Sequence, residues 1–146
     1  MVALSYLLEV VTLSVADVDR AVAFYADGLG FALDVDYEPT PGFRVVQLTP
    51  PGSAASVQLG DGLTDAEPGS VRGGYLVVED LVATHRELTA RGVRVGPLRH
   101  QAPIDDWRGG FEPGPDPDRR DYATFADVVD PDGNAWVLQE RGHRAD

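Results

Sequence analysis

The sequence contains no cysteine and no lysine, so all 12 of its basic residues are arginine. The absence of cysteine excludes disulfide bonds, thiolate metal sites and cysteine nucleophiles. Isoleucine and asparagine each occur once, as Ile104 and Asn134. Because residues with AT-rich codons are so scarce, the composition favours a GC-rich bacterial genome as the source of the protein.

A basic surface and long apolar runs are also missing. The chain carries 24 acidic residues against 12 basic ones, a formal net charge of −12. This balance argues against a nucleic-acid binder, because such proteins need a basic face. No apolar run approaches the ~20 residues of a membrane span, and residues 1–4 lack the basic start of a signal peptide. We therefore expect a cytoplasmic protein without nucleic-acid or membrane partners.

A pattern of elements occurs twice along the chain. One short alternating strand leads into Asp17, and a second leads into Asp80. Each Asp opens a helical pattern, because its carboxylate can accept the free amide protons of a first helical turn. The two helical patterns end near Gly28 and Gly92, where glycine suits the left-handed C-terminal cap.

Three strands are predicted after each helix, with Gly- and Pro-rich turns between them. They cover Phe31–Tyr37, Phe43–Thr49 and Ala54–Leu59, then Val93–His100, Tyr122–Val129 and Asn134–Glu140. The chain is therefore predicted to be one α+β domain, residues 1–146, built from two βαβββ modules. Module one spans about residues 5–60, a linker spans 60–72, and module two spans about 73–142.

A long segment between predicted strands, residues 101–121, breaks this symmetry. It holds four prolines and three glycines, and it also carries Trp107 and Phe111. A loop of this length in a small domain is usually functional or disordered. We expect this segment to be either a lid or flap that contacts a partner, or an ordinary surface loop.

The repeated unit and three motifs resemble the vicinal oxygen chelate superfamily, which includes glyoxalase I, bleomycin resistance proteins and extradiol dioxygenases. The motifs are Val15–Tyr25, Gly28–Phe31 and Asp130–Asn134. The resemblance implies a pair of βαβββ modules whose curled mixed sheets enclose a shared cavity. It also implies a homodimer, because members are commonly dimers, and some exchange modules between chains.

Enzymes of this superfamily hold a divalent metal with one ligand from each of four strands. The resemblance places these four positions at Val10, Gln58, Gly73 and Val137. Only Gln58 offers an oxygen donor, whereas a hard divalent cation needs several donors and a catalytic zinc usually has three protein ligands. We therefore expect no metal site and no cofactor.

Strand alternation predicts a cavity lining of hydroxyls, amides and aromatic rings. The expected ligand-binding residues are Thr12, Ser14, Gln47, Gln58, Tyr75, His100, Trp107, Phe111, Tyr122, Val137 and Gln139. Such a lining suits a sizeable organic molecule held by stacking and hydrogen bonds. The alternative is a cavity that the protein's own side chains partly fill.

Few residues are candidates for chemistry. His100 ends a predicted strand, so it is a candidate for ligand contact or proton transfer, with a structural role as the alternative. Asp34 and Asp36 lie two apart on one strand, so they are expected to face the same way, exposed to solvent. Glu140 is expected to form a salt bridge or an interface contact.

These patterns favour a metal-independent binding protein of the glyoxalase/bleomycin resistance type, which sequesters an aromatic or cationic natural product. The alternative is an enzyme, namely a lyase, isomerase or dioxygenase, with an atypical metal site or acid–base catalysis through His100. A third hypothesis is a regulatory module whose long loop docks on another protein.

Overall fold

The computed structural model describes residues 2–145 and divides the chain into two compact units, the first ending at Ser70 and the second beginning at Val71. Each unit holds a helical region and a curled mixed sheet, so the predicted α+β class is confirmed. In the first unit the strands are β1 (Val10–Thr12), β2 (Ala32–Thr40), β3 (Phe43–Thr49) and β4 (Ser56–Asp61). In the second they are β5 (Gly74–Val78), β6 (Arg99–Gln101), β7 (Phe111–Pro113), β8 (Thr124–Val129) and β9 (Ala135–Glu140).

The first sheet has the strand order β1-β4-β3-β2, with β1 parallel to β4 and the other pairs antiparallel. Helix α1 (Val18–Val22) begins after Asp17, whose carboxylate accepts the amide proton of Arg20 as predicted for an N-cap. The helix continues as a π-helical turn, Ala23–Gly28, and α1 packs against β4. We call the surface of each sheet that carries its helix the helix face and the opposite surface the open face.

The second sheet has the order β5-β9-β8-β6-β7, with β5 parallel to β9. Helix α2 (Leu81–Ala90) begins after Asp80, which caps it by accepting the amide proton of Ala83, and it packs against β8 and β9. Trp136 and Leu138 are buried on the helix face of β9, as their alternation predicts.

The structure shortens one predicted strand and adds a strand within the predicted long loop. The predicted strand Val93–His100 is reduced to β6, because Gly96 and Pro97 interrupt it and Val95 makes only an isolated bridge to Val128. Proline lacks the amide proton that a central strand must donate. The predicted loop at 101–121 instead contains β7, which pairs with β6 as an antiparallel hairpin. Within the part of the chain that the structure describes, no helix is both long and apolar enough to cross a bilayer.

Candidate ligand-binding faces

The open face of the first sheet carries a row of polar side chains across its strands. Thr12, Gln58, Gln47 and Val35 are register partners on β1, β4, β3 and β2, so they share one face. The Gln58 amide donates a 2.9 Å hydrogen bond to the Thr12 hydroxyl. The structure therefore brings together three of the predicted binding residues, Thr12, Gln47 and Gln58, as a hydrogen-bonding stripe.

Ser14 lies away from this stripe. Strand β1 ends at Thr12, so Ser14 has no register partner in this row. Ser14 is buried, and its hydroxyl donates to the Ala66 carbonyl at 2.7 Å. Its role in the structure is to hold the segment that follows β4, which corrects its predicted place in the binding face.

Asp34 and Asp36 of β2 do not face the same way. A β-bulge between Leu33 and Val35 breaks the alternation of the strand. Asp34 accepts a hydrogen bond from Thr49 on the open face, whereas Asp36 pairs with Arg44 on the helix face. The Arg44 guanidinium lowers the pKa of the Asp36 carboxyl. Asp34 and Asp36 are therefore not a pair, and Asp36 instead shares Arg44 with Glu38, whose carboxylate lies 3.8 Å from the Arg44 Nε atom.

The open face of the second sheet carries apolar and aromatic side chains. One row crosses all five strands, and its register partners are Val77, Gln139, Phe125, Arg99 and Pro113. A second row joins Tyr75, Val137 and Asp127. Tyr75 is 57% exposed and Val77 is 45% exposed, so their apolar surface is available to a ligand. The predicted residues Tyr75, Val137 and Gln139 therefore share this face.

Three aromatic rings form a cluster at the β6–β7 end of this face. The Trp107 and Phe125 rings are stacked at 18° with their centroids 6.5 Å apart. Phe111 meets both rings nearly edge-on, each at a centroid distance of 5.6 Å. Phe125 is buried beneath the other two, whereas Trp107 is 41% exposed and Phe111 is 42% exposed. We call Trp107, Phe111 and Phe125 the aromatic cluster.

Arg99 and Asp127 flank the aromatic cluster. The Arg99 guanidinium lies 4.9 Å from the centroid of the Phe111 ring and 5.7 Å from that of Phe125. It also donates two hydrogen bonds to Asp127, at 3.0 and 3.2 Å, in the fork geometry that suits a carboxylate. Sequence reasoning missed Phe125, Arg99 and Asp127. Tyr122, the predicted binding residue nearest to them, precedes β8, and Thr124 at the start of β8 is buried and accepts the amide proton of Asp116.

The hairpin loop fixes the orientation of Trp107. The indole N–H donates to the Gly110 carbonyl, and the amide of Ala102 donates to that same carbonyl at 3.0 Å. A Cβ on Gly110 would lie only 2.7 Å from the Ala102 carbonyl oxygen, so this close approach requires glycine. With its polar N–H bound by the loop, Trp107 presents an apolar ring surface to solvent.

Tyr122 occupies a constrained position beside the strand ends. Its backbone has a φ of 65°, which is unusual for a non-glycine residue. Its amide donates to the Glu140 carbonyl at 2.8 Å, and its own carbonyl accepts a 3.2 Å hydrogen bond from Gln139. The phenol accepts a hydrogen bond from Arg141, which raises the pKa of that guanidinium. The backbone of Tyr122 thus adjoins Gln139 of the open face, and its exposed ring lies beside the Arg141 guanidinium.

His100 lies on the helix face, away from the aromatic cluster. It is the register partner of Thr124 and Glu112, whereas its neighbour Arg99 pairs with Phe125. One ring nitrogen, Nδ1, hydrogen-bonds to the Gly114 carbonyl at 2.9 Å, and the side chain is only 14% exposed. The other ring nitrogen, Nε2, lies 3.8 Å from the Glu112 carboxylate.

Glu140 forms the predicted salt bridge, in a completely buried position. Arg119 donates to it from two nitrogens, and the amide of Leu81 donates to it at 2.8 Å. Arg119 also pairs with Asp80 at 3.0 Å. The pKa of the Asp80 carboxyl is lowered, first by the hydrogen bond from the Ala83 amide and then by Arg119. This network attaches the segment after β7 to the start of α2.

The residues at the four superfamily metal positions do not fit a divalent cation. Val10, Gly73 and Val137 have no side-chain donor, and the Gln58 amide is hydrogen-bonded to Thr12. In residues 2–145, no three His, Asp or Glu side chains come together as a metal-binding group. One neutral amide oxygen is too weak a donor set for such a cation.

The family model of the Glyoxalase/Bleomycin resistance protein/Dioxygenase superfamily matches residues 7–138, so the chain belongs to this superfamily. The resemblance predicted from the three sequence motifs is therefore confirmed. A search of curated proteins finds no relative of this sequence.

Several solved structures of the superfamily are similar to this chain. TnmS3, an antibiotic binding protein from Streptomyces sp. CB03234, is 29% identical with a TM-score of 0.70, and the match covers 96% of this chain and 98% of TnmS3. A glyoxalase/bleomycin resistance protein from the same organism is 29% identical with a TM-score of 0.67, covering 91% of this chain and 99% of the other. A superfamily member from Sphaerobacter thermophilus DSM 20745 is 27% identical with a TM-score of 0.71, covering 94% and 98%.

Proposed function

We propose that this protein binds a small aromatic molecule reversibly, without a metal and without chemistry, and so sequesters it. The observation that carries the proposal is the aromatic cluster, in which Trp107 and Phe111 expose their rings above a buried Phe125. Large, partly exposed rings that are held in place supply apolar contact area at little cost in conformational entropy. The similarity to an antibiotic binding protein supports the same kind of ligand.

The rest of the second open face supports this proposal. Tyr75, Val77 and Val137 continue the apolar surface from the cluster, and Gln139 adds an amide for a directed hydrogen bond. Small-molecule sites are typically apolar surfaces with a few placed polar groups. The Thr12, Gln47 and Gln58 stripe of the first sheet offers hydrogen-bonding groups of the same kind.

The test is a thermal-shift panel of aromatic and glycopeptide natural products with the purified protein. A ligand present at 100 times its Kd stabilises the folded state by about 2.7 kcal/mol. We expect at least one aromatic compound to raise the Tm with one-to-one stoichiometry, and mass spectrometry to recover that compound unchanged. Turnover of the compound, or about one tightly held metal ion per chain by elemental analysis, would contradict the proposal.

A catalytic role through His100 is not proposed, since its side chain lies on the helix face and holds the Gly114 carbonyl. We further propose a bacterial, cytoplasmic protein that is a homodimer, in line with the superfamily resemblance. Light scattering on the purified protein tests the dimer, and a monomer mass across micromolar concentrations would contradict it.

A further inference from the structure

The charges beside the aromatic cluster already neutralise each other. Arg99 and Asp127 form a bidentate pair at 3.0 and 3.2 Å. The guanidinium also lies over the Phe111 ring, so a cation already occupies the π-face of that ring. The cluster therefore presents large apolar surface together with a charge pair that is internally balanced.

We infer that the Arg99–Asp127 pair makes the aromatic cluster selective for uncharged planar aromatic ligands over cationic or anionic ones of the same shape. The inference rests on the proposed function and names the class of ligand and the residues that set the specificity. The Trp107 N–H is bound to the Gly110 carbonyl, so the exposed surfaces of Trp107 and Phe111 are apolar ring surfaces. A flat, uncharged ring system can pack against such surfaces.

A charged ligand gains little from this surface. Moving its charge from water onto an apolar face costs hydration, and the loss is recovered only if an uncompensated counter-charge meets it. Arg99 and Asp127 are each compensated by the other. A cationic ring system would also meet the Arg99 guanidinium above Phe111, which adds like-charge repulsion.

This selectivity is opposite to what the overall charge favours. A net charge of −12 attracts cations at long range, although that attraction is screened beyond about 8 Å at physiological salt. A preference for a neutral ligand over a cationic one would thus report the local pair rather than the charge of the whole chain.

The experiment uses three flat tricyclic probes of matched shape: neutral acridone, cationic proflavine and anionic acridine-9-carboxylate. Equilibrium dialysis against the purified protein at pH 7.5 and 0.15 M NaCl gives each Kd. For the unmodified protein we expect acridone to bind about tenfold or more tightly than either charged probe, since tenfold corresponds to about 1.4 kcal/mol of unrecovered hydration.

Two variants of the pair provide the decisive measurement. Arg99→Met leaves Asp127 uncompensated, so the affinity for proflavine should rise about five- to tenfold relative to acridone. Asp127→Asn leaves the Arg99 guanidinium uncompensated, so the affinity for acridine-9-carboxylate should rise by a similar factor relative to acridone. Arg44→Met is the matched control, because it removes the same charge from the Asp36 pair on the other unit's helix face. It should leave the order of the three affinities unchanged.

The outcomes separate this inference from the proposed function. If acridone binds but the two pair variants keep the original selectivity, the specificity role of Arg99 and Asp127 is wrong and aromatic binding stands. If none of the three probes binds the unmodified protein, folded by circular dichroism, the inference is wrong, and if no compound of the natural-product panel raises the Tm either, the proposed function is wrong as well. If Trp107→Ala converts a dimer to a monomer in light scattering, a second copy of the chain covers the cluster, which also overturns the inference.

Discussion

Arg119 donates a 2.8 Å hydrogen bond from its Nε atom to Oε1 of Glu140, and the Glu140 side chain is completely buried. Arg119 adopts a φ of 50° to make this contact, a conformation that costs free energy for a residue with a Cβ. Glu140 also accepts the amide proton of Leu81 at the start of α2. A single buried carboxylate therefore joins the last strand, the second helix and the segment that follows the β6–β7 hairpin.

Removing the cation from this pair should be strongly destabilising. Arg119→Met leaves Glu140 buried and uncompensated, and we expect a loss of about 3–5 kcal/mol in the free energy of unfolding. Arg91→Met, which removes an exposed i,i+4 partner of Glu87, should cost no more than about 0.5 kcal/mol. Urea unfolding measures both. Adding Glu140→Gln to Arg119→Met should recover part of the loss, and equal losses for the two single variants would contradict the importance of burial.

Asp80 should contribute stability that depends on pH. Its pKa is lowered from 3.8 by the Ala83 amide and by Arg119, so its contribution is complete above that value and is lost as the pH falls through the lowered pKa. At pH 7, Asp80→Ala should cost about 1 kcal/mol through the lost cap. The difference in the free energy of unfolding between this variant and the unmodified protein should become smaller below about pH 4.

Asp80→Asn serves as the matched control for that experiment. Asparagine caps a helix nearly as well as aspartate but does not titrate, so the variant should retain most of the stability of the unmodified protein at pH 7. Denaturant melts at several pH values measure the gap. A gap for Asp80→Ala that stays constant down to pH 2 would contradict the argument from the lowered pKa.

Gly110→Ala should disturb the aromatic cluster with little effect on the rest of the fold. The added Cβ would lie 2.7 Å from the Ala102 carbonyl oxygen, so the hairpin loop and the Trp107 indole must shift. We expect weaker acridone binding and altered acrylamide quenching of tryptophan fluorescence. Gly109→Ala is the control variant. A Cβ added at Gly109 would have no atom within 4 Å, so the only cost of this change is the φ of 92°, which is strained for alanine. A larger loss of binding for Gly109→Ala than for Gly110→Ala would contradict this prediction.

His100→Ala should leave ligand affinity almost unchanged. The side chain lies on the helix face, so we expect the Kd for an aromatic ligand to change less than about twofold, which is well under 1 kcal/mol. The lost hydrogen bond to the Gly114 carbonyl should lower the free energy of unfolding by about 1 kcal/mol. Phe111→Ala, on the open face, should instead weaken binding severalfold or more. A loss of affinity for His100→Ala as large as for Phe111→Ala would place His100 in the binding site after all.

Local sequence patterns predicted the helix starts of both units and the two faces of β5 and β9. Asp17 and Asp80 cap their helices because a carboxylate beside a first turn meets the free amide protons wherever it occurs. Alternation assigned Tyr75 and Val137 correctly to one face and Trp136 to the other, because β5 and β9 pair in continuous register. Such features depend on neighbours in the sequence, so they can be predicted from it.

Predictions failed where the alternation of a strand is broken. The bulge in β2 turned Asp34 and Asp36 to opposite faces, and Ser14, beyond the end of β1, is buried with its hydroxyl bound to the Ala66 carbonyl. No residue of β8 was predicted to bind a ligand, so Phe125 and Asp127 were missed. A shift of one residue in the register exchanges the two faces of a strand, and the sequence alone does not fix the register.

The sequence by itself determined the α+β class, the strand and capped helix that begin each unit, the family motifs and the lack of donors at the superfamily's metal positions. These follow from composition, helix caps and periodicity, which are properties of neighbouring residues. Tertiary structure alone decided that Arg99 and Asp127 pair beside Phe111, and that Glu140 lies buried against Arg119. Those contacts join residues 28 and 21 positions apart, so they exist only once the strands have paired in one register and the long segment has folded back on them.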